Sequence, residues 1–479
     1  MTIALRWCRR RIDGHVRFPR PPSPVQGRAL PVLIHSATLV TWGADPRLLP
    51  DHALLLRDGR IGAMGPSAAL RRRHPQAQGL DADGQLLMPG NICAHTHFYG
   101  ALARGMALAG PAPADFPQIL ERLWWPLDRA LDADTIRISA LVSLVDAIKH
   151  GSTTLIDHHA SANCVEGSLD LIADAVEQAG LRAVLCYEVT DRDGPERAAA
   201  GIAENLRFLQ AAAGRERVAA TFGLHASLTL GDETLRRCAG ALPAGVGIHV
   251  HVAEHEADQQ DSLRRSGLRV VLRLDRYDLW RPGSIAAHCV HAEAAECELL
   301  QERGVWISHQ PRSNMNNGVG AAALDDMLAA GMPVCLGNDG MGNNMWAEWK
   351  AAYLLHKVAG RDPRRAPGDA IARMATENNA ALARQFFPGS GLGELAPGAV
   401  ADLILVDYRP FTPLHEGNLP WHILFGFEAS MVTTTIVQGQ VLMKDRQLLT
   451  LDERAIAAEA REMAPALWRR QAILARGVH

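Results

Sequence analysis

The chain has 479 residues, more than one ordinary core encloses, and 48% of them are hydrophobic. Length and composition therefore predict a globular protein with two domains, or one large barrel with an accessory domain. The formal net charge of -3 gives no electrostatic reason to expect nucleic acid or an anionic membrane as the partner. No segment reaches the roughly 18 uncharged apolar residues that a membrane-spanning helix needs. The eight cysteines are scattered without a C-x-x-C pair, which predicts free buried thiols and a cytoplasmic location.

Residues 1–30 are rich in arginine and proline, and arginines stand where a signal peptide would carry its apolar run. We interpret this segment as a disordered basic tail or as the product of an upstream start codon, with a transit peptide or a nucleic-acid arm as the alternative. From residue 31 to residue 87, short strands alternate with glycine turns. The same texture returns at residues 388–449, so the two segments are predicted to form one composite β-sandwich domain.

Between these segments, residues 88–387 alternate apolar, strand-like runs with alanine- and leucine-rich helical stretches. Eight such runs predict an α/β fold with a parallel (β/α)8 TIM-like barrel, and near-continuous apolar strands fit a sheet covered on both faces. The runs are 87–97, 153–160, 182–189, 218–226, 245–254, 284–290, 305–311 and 333–340. Residues 450–479 have helical spacing and are predicted to form a C-terminal helix.

Histidines or an acid stand at the ends of seven of the eight runs. In such barrels the active site lies at the carboxyl ends of the strands. The residues are His95, His97, His158, His159, His225, His251, Glu254, His288, His309 and Asp339. Side chains two residues apart on a strand share a face, so both histidines of "HTH" (residues 95–97) can reach one ion. A third histidine and a carboxylate from other strands would complete a catalytic zinc shell with one position open for water.

The segment "GVGIHVHVAEHE" (residues 245–256) has two interpretations. On a helix, His251, Glu254 and His255 spell H-x-x-E-H, the inverted zincin motif. On a strand, His249 and His251 point the same way. β-branched residues alternate with these two histidines, which favours the strand, with His249 as a core residue deeper in the barrel.

Five segments together resemble the amidohydrolase superfamily: "MPGNICAHTHFYGALARG", "HVHVAE", "AAHCVH", "HQPRSN" and "LGNDG". They are similar to its mononuclear aminohydrolase branch, which includes guanine, cytosine and methylthioadenosine deaminases. The segments "ERLWWPLDRALD", "DAIKHGSTTLIDHHAS", "GLHASLTL" and "SHQPRSNMNNGVG" further resemble the SsnA-type aminohydrolases. With the flanking β segments, the resemblance covers residues 31 to 449.

The resemblance implies one divalent metal ion, with zinc as the first choice and iron(II) as the alternative. Its ligands would be His95, His97, His251 and Asp339. The binuclear branch needs a bridging lysine, and no lysine stands at a suitable strand end. The resemblance therefore favours a single ion.

The same resemblance implies how the reaction would run. The metal would supply an activated water, whose proton Asp339 would take as general base. Glu254 would protonate a ring nitrogen, and His288 would orient the water or polarise the tetrahedral intermediate. The predicted substrate contacts are Arg104, His225, Glu254, His309 and Arg312. His158 and His159 receive no role.

The sequence is compatible with three functions. The first is a metal-dependent aminohydrolase that releases ammonia from a purine- or pterin-like heterocycle. The second is a hydrolase of the same fold that removes chloride or an alkylamine from a triazine, or opens a cyclic amide. The third is a non-catalytic scaffold, which the presence of all four ligand residues disfavours. The expected partner is a small heterocyclic substrate, and the resemblance implies a homodimer.

Overall fold

The computed structural model of the protein describes residues 30–43 and 46–477. The tail predicted at residues 1–30 lies outside the described residues, except for its last residue. The strands are β1 (Val32–Val40), β2 (Leu48–Arg57), β3 (Arg60–Pro66), β4 (Gln78–Asp81), β5 (Leu86–Pro89), β6 (Asn91–Thr96), β7 (Ser152–His159), β8 (Arg182–Tyr187), β9 (Val218–Ala220), β10 (Phe222–Ala226), β11 (Ile248–Val252), β12 (Ile285–His288), β13 (Trp306–His309), β14 (Val334–Leu336), β15 (Leu403–Val406), β16 (Val432–Val437), β17 (Gln440–Lys444) and β18 (Gln447–Leu448).

The helices vary from one turn to more than six turns. The α-helices are Ser67–Arg73, Phe116–Ile119, Trp125–Ala130, Ala133–Lys149, Ser168–Ala179, Pro195–Ala211, Asp232–Ala241, Glu256–Ser266, Val270–Asp275, Ala294–Glu302, Pro311–Asn317, Leu324–Ala329, Met345–Gly360, Gly368–Arg373, Asn379–Phe386, Leu419–Gly426 and Glu453–Arg476. Two π-helical segments, Leu120–Trp124 and Met374–Asn378, join neighbouring helices. None of the helices within the described ranges is long and apolar enough to cross a membrane.

Strands from both ends of the chain form one mixed sheet. Its order is β18-β17-β16-β15-β5-β1-β2-β3, and β4 pairs with β1. The join between the two halves is the antiparallel pair of β15 with β5. Apolar side chains of β1 to β3 and of β15 and β16 meet in one core cluster, so the sheet curls over a shared core.

The other nine strands form the barrel. Neighbouring strands from β6 to β9 and from β10 to β14 pair in parallel. Parallel bridges from Val189 to Leu224 and from Thr96 to Asp339 close the ring. β9 and β10 are two pieces of the fourth barrel strand, interrupted at Thr221. The predicted α/β class with a (β/α)8 barrel is confirmed.

The segment with two interpretations is a strand where its histidines lie. His249 and His251 belong to β11, whose five residues are all buried. His255 is the N-cap of the next helix, Glu256–Ser266, and its Nδ1 accepts a hydrogen bond from the Ala257 amide. The helical H-x-x-E-H reading is therefore excluded, because a strand and a turn separate the groups that a zincin helix would bring together.

Gly337, just after β14, lets the eighth strand lie directly against the first. A Cβ atom there would come within 2.8 Å of the His95 backbone nitrogen and oxygen. Real Cβ atoms do not approach so closely, because protein interiors are already close-packed. Because Gly337 has no Cβ atom, Asp339 can lie beside His95. The Asp339 amide donates a hydrogen bond to the His95 carbonyl over 3.0 Å.

Candidate metal centre and active site

The four predicted ligands meet at the carboxyl end of the barrel. His97 Nε2 lies 2.8 Å from Asp339 Oδ1, and His95 Nε2 lies 3.3 Å from the same oxygen. His97 Nε2 and His251 Nε2 are 3.2 Å apart. Ligands that surround zinc tetrahedrally at about 2.0–2.1 Å are themselves about 3.3 Å apart. The spacing of these atoms therefore suits one ion.

The remaining ring nitrogens orient the three histidines. His97 Nδ1 donates to the His158 carbonyl over 2.6 Å, and His251 Nδ1 donates to the His225 carbonyl over 2.8 Å. A histidine whose Nδ1 carries the hydrogen presents a lone pair at Nε2, which is the form that binds a metal. Among the described residues, the buried His95 Nε2 has no hydrogen-bond partner. A metal ion would satisfy this nitrogen.

His249 lies beneath the predicted ligand His95. Its Nε2 is 2.8 Å from His95 Nδ1, and its Nδ1 is 3.8 Å from the sulfur of Cys186. If His95 Nε2 holds the metal, His95 Nδ1 must donate to His249 Nε2. The hydrogen of His249 is then on Nδ1, directed toward Cys186. His249 is buried as the sequence predicts, and it also contacts a predicted ligand, which the sequence analysis did not foresee.

Burial and contacts within the cluster set the protonation states of its side chains. Burial lowers the pKa of His95 to about 3 and holds the pKa of His251 well below its usual value, so both rings are neutral. Burial alone would raise the pKa of the Asp339 carboxyl, but its close pairing with the His95 and His97 rings outweighs burial and holds this pKa well below its ordinary value. Burial would lower the pKa of His97, but Asp339 and Glu188 outweigh it and raise this pKa to about 10, so metal binding must displace the His97 proton. Three imidazoles and one carboxylate then remain, which is a donor set typical of catalytic zinc.

Two side chains that are not predicted ligands, Glu254 and His288, lie beside the cluster. Glu254 Oε2 lies 3.6 Å from His288 Nε2, and His288 Nε2 lies 4.0 Å from Asp339 Oδ2. Burial raises the pKa of the Glu254 carboxyl to about 7, so a proton is available there near neutral pH. His288 Nδ1 donates to Asn314 Oδ1 over 2.9 Å, which leaves its Nε2 as a lone pair facing the site.

The backbone is strained where these groups are held. His288 has a φ of 73° and Asp339 a φ of 55°. Non-glycine residues rarely adopt this left-handed region, at a cost of about 1–3 kcal/mol each, and such residues cluster at active sites. The strained residues are thus the last residue of β12 and a residue of the turn that follows β14.

The buried carboxylate of Glu188 is a part of the site that the sequence did not predict. Glu188 follows β8 and is 1% exposed. Its Oε1 lies 3.4 Å from His97 Nδ1 and 3.2 Å from His158 Nδ1, and its Oε2 lies 3.7 Å from His225 Nε2. Glu188 therefore stands behind a predicted ligand, at the one strand end to which no residue was assigned. The available signal was its position at the end of the apolar run 182–189.

A cavity opens to solvent above the cluster. Aromatic and apolar side chains form much of the wall, and the π-helical turn Leu120–Trp124 contributes to it. The apolar wall residues are Tyr99, Phe116, Leu120, Trp124, Trp125, Leu228 and Met341. The polar wall residues are His97, Asp128, His225, His251, Glu254, His255, Asp258, Ser313, Asn316, Asn317 and Asp339.

The predicted substrate contacts separate into two groups. Glu254 and His225 line the cavity, and His225 Nδ1 is 2.7 Å from Thr229 Oγ1. Arg104, His309 and Arg312 are not among the lining residues. Arg104 is exposed near Gly342, His309 Nε2 is 3.0 Å from His356 Nε2, and Arg312 is held by the buried Glu348. These placements do not support direct substrate contact by the last three residues.

A family model described as "Amidohydrolase family" matches residues 86–442, which is most of the chain. The chain belongs to the amidohydrolase family. A second family model, "Imidazolonepropionase-like composite domain, bacteria", matches residues 53–77 of this amidohydrolase, within the mixed sheet. The resemblance inferred from sequence segments is confirmed.

Curated relatives cover almost the whole chain. The amidohydrolase is 32% identical over 445 residues to a 5'-deoxyadenosine deaminase of Methanosarcina mazei, an alignment that spans 91% of this chain and 98% of the relative. It is 33% identical over 450 residues to a 5-methylthioadenosine/S-adenosylhomocysteine deaminase of Pelotomaculum thermopropionicum, spanning 92% and 99% of the two chains.

Solved structures share the fold. An adenosine deaminase from Xanthomonas campestris with bound zinc superposes with a TM-score of 0.79 at 25% identity, covering 91% of this chain and 97% of that one. A triazine hydrolase from Arthrobacter aurescens gives a TM-score of 0.77 at 22% identity, covering 91% and 100%. The second likeness concerns the fold alone. The zinc-bound neighbour and the histidine–aspartate cluster agree that this amidohydrolase has a site suited to a divalent metal ion.

Proposed function

We propose that this amidohydrolase is a metal-dependent deaminase of an amino-substituted purine, presented as the base of a nucleoside-like molecule. The observation that carries the proposal is the placement of Glu254. Its carboxyl is buried at the wall of the cavity, 3.6 Å from His288, with a pKa raised by burial to about 7. A protonated acid facing the ligand space is what ring-nitrogen activation requires.

The substrate class is supported by the relatives and by the cavity. Curated relatives are named for 5'-deoxyadenosine and for 5-methylthioadenosine/S-adenosylhomocysteine, all of which carry an adenine ring. The aromatic wall formed by Phe116, Trp124 and Trp125 suits a flat heterocycle, because aromatic rings stack against one another. The cavity opens to solvent, so a substituent beyond the base can extend toward its mouth.

His95, His97, His251 and Asp339 would hold the ion. When bound, a divalent zinc ion supplies Lewis acidity and makes a water nucleophilic near neutral pH. Asp339 takes the proton of the attacking water, and Ser313 holds Asp339 Oδ2 by a hydrogen bond. His288, through its free Nε2, accepts a hydrogen bond from the same water and orients it toward the ring carbon.

Glu254 donates a proton to the ring nitrogen next to the amino-bearing carbon. The new bond joins the water oxygen to that carbon, and the bond that breaks joins the carbon to the amino nitrogen. Asp339 returns its proton to the leaving amino group, so that ammonia departs. The ring nitrogen keeps the proton from Glu254, the new hydroxyl gives its remaining proton to Glu254 as the double bonds rearrange, and an oxo group replaces the substrate amino group.

A hydrolase that expels chloride or an alkylamine from a triazine is the second candidate. Its support is the fold likeness to a triazine hydrolase, at 22% identity. The curated relatives at 32% and 33% identity are deaminases instead, which is why deamination is preferred.

A substrate panel tests the proposed function. Zinc-loaded protein is incubated separately with adenosine, 5'-deoxyadenosine, guanine, a pterin and chlorotriazine, and both ammonia and chloride are measured. We expect ammonia from at least one aminopurine and no chloride. Chloride release without ammonia from any aminopurine would instead establish the second candidate.

Metal content separates His249 from His251. We expect His251→Ala to purify with almost no zinc, because it removes a ligand. His249→Ala should keep the site but bind zinc about 10–100-fold more weakly, since it removes the support of His95. Zinc affinity is measured by titration of metal-free protein against a chromophoric chelator. His255→Ala, outside the barrel strands, is the control. Equal zinc loss in His249→Ala and His251→Ala would contradict this assignment of roles.

We further propose that the protein is a homodimer in a reducing compartment such as the cytoplasm. Six cysteines are free and buried: Cys93, Cys186, Cys238, Cys289, Cys297 and Cys335. Helices Met345–Gly360 and Leu419–Gly426 expose neighbouring apolar side chains. Val358 is 76% exposed, Phe425 69% and Leu354 55%, and Tyr353 contacts Phe425 at 5.7 Å between ring centroids.

A charge in this apolar surface tests the dimer. Val358→Asp should shift the protein from dimer to monomer in sedimentation at micromolar concentration, because an unpaired charge would be buried at the interface. Ile473→Asp, at a residue 70% exposed on the C-terminal helix, should leave the dimer intact. A monomeric wild-type protein would rule out the dimer.

A further inference from the structure

Helix Pro311–Asn317 presents a row of polar side chains to the cavity. Pro311 opens the helix, where no amide donor is needed, and Gly318 ends it in a left-handed conformation with a φ of 64°. Ser313 and Asn317 are one helical turn apart, so they lie on the same face. Both line the cavity beside Glu254 and Asp339.

These side chains form a continuous chain of hydrogen bonds between the two carboxylates. Asn317 Nδ2 donates to Glu254 Oε1 over 3.2 Å and to Ser313 Oγ over 3.3 Å. The Ser313 hydroxyl donates in turn to Asp339 Oδ2. Both hydrogens of the Asn317 amide are therefore used, one by Glu254 and one by Ser313.

Asn316 fixes the direction of this chain. Its Nδ2 donates to Asn317 Oδ1 over 3.0 Å. An amide oxygen only accepts and an amide nitrogen only donates, so this bond turns the Asn317 nitrogen toward Glu254. The other carboxyl oxygen, Glu254 Oε2, lies 3.6 Å from His288 Nε2.

We infer that Asn317 is a positioning residue for Glu254: by donating to Oε1, it assigns the transferable proton to Oε2, on the side of His288. An oxygen that accepts an N–H bond is the carbonyl-like oxygen of a carboxylic acid. The O–H group is then left on Oε2 to donate to substrate. The inference rests on the proposed function, because it gives Asn317 a role only if Glu254 is the acid. The sequence alone assigns no role to Asn317.

A double-mutant cycle between Asn317 and Glu254 tests the inference. Zinc-loaded wild type, Asn317→Ala, Glu254→Gln and the double variant are assayed with 5'-deoxyadenosine, or with the best aminopurine of the panel. We expect Asn317→Ala to lower kcat by about 10²-fold, in the range for loss of an acid's correct geometry. In the Glu254→Gln background the same change should lower kcat by less than about twofold, because groups acting through one another are not additive.

Two further variants protect the test against trivial causes. Asn317→Asp keeps the side-chain volume but places a second carboxylate oxygen against Glu254 Oε1, so it should lose turnover as Asn317→Ala does. Met315→Ala, at a residue 47% exposed on the same helix, should keep wild-type turnover. All variants should retain zinc.

The outcomes are distinguishable. Equal losses from Asn317→Ala in both backgrounds would overturn the inference, because Asn317 would then act on a group other than Glu254. Zinc loss in Asn317→Ala would also overturn it, since its role would then run through Ser313 to Asp339. Wild-type turnover by Glu254→Gln would overturn the proposed function itself, whatever Asn317 does.

Discussion

Asp339→Asn is expected to reduce deamination by about 10⁴-fold or more, the upper range for a general base, because the residue also holds the ion. The carboxylate serves two groups at once. Oδ1 lies 2.8 Å from His97 Nε2, within the ligand cluster, and Oδ2 accepts from Ser313. Asparagine keeps the shape but has no negative charge to hold the ion and no basic oxygen to take a proton.

Metal analysis and ammonia assays on one preparation check this expectation. We expect Asp339→Asn to bind zinc more weakly and, even at saturating zinc, to remain inactive. Asp326→Asn, an exposed acid on helix Leu324–Ala329, should behave as wild type. If Asp339→Asn regained most of its activity when zinc was added, Asp339 would be a ligand without a role as base.

Glu254→Gln should lose about 10²–10⁴-fold in turnover while it keeps the metal and the substrate. Glu254 lies outside the ligand cluster, and its Oε1 accepts from Asn317. Glutamine preserves volume and hydrogen bonding but cannot cycle a proton. The expected pattern is therefore a fall in kcat with a nearly unchanged KM, which marks an interaction made in the transition state.

Zinc content, KM and kcat of Glu254→Gln are compared with those of a control variant, Glu256→Gln. Glu256 is the first residue of the following helix. The second variant should match the wild type. A Glu254→Gln protein that deaminates at the wild-type rate would show that this carboxyl is only part of the cavity wall.

Much of the fold and of the ligand cluster could be predicted because both depend on local patterns. Eight apolar runs that alternate with helical stretches indicate a barrel. Histidines at the ends of those runs must converge, because parallel strands end at the same rim. This reasoning together with the resemblance predicts His95, His97, His251 and Asp339 as ligands. The structure groups His95 and His251 with His97 and His158, and also with His288 and Asp339, as residues that could hold one ion.

Contacts between distant strands could not be predicted in the same way. His249 was correctly interpreted as buried, but its bond to His95 depends on the register of β11 against β6 across the barrel. Glu188 belongs to no recognised motif, and its place in the site is evident only from its contacts with three histidines. The direction of the Asn317 amide depends in the same way on Asn316 and Glu254.

The arginines show how a plausible residue type can mislead. Arg104 and Arg312 were predicted to bind a substrate carbonyl or carboxylate because they stand near the motifs. Arg312 instead pairs with Glu348, which is 0% exposed. A buried acid holds an arginine more firmly than a transient ligand would, because breaking the pair would leave a buried charge uncompensated. Nothing in the sequence around Arg312 indicates the partner, which lies 36 residues later.

Stoichiometric product analysis of zinc-depleted and zinc-restored protein tests the central claim most directly. The aminopurine that responds best is incubated with both forms, and ammonia and the oxo-purine product are counted together. We predict one ammonia for each oxo-purine formed, no conversion by the depleted protein, and recovery when about one equivalent of zinc per chain is added back. Conversion that survives complete removal of the metal, or zinc-loaded protein that releases no ammonia from any aminopurine, would contradict the account.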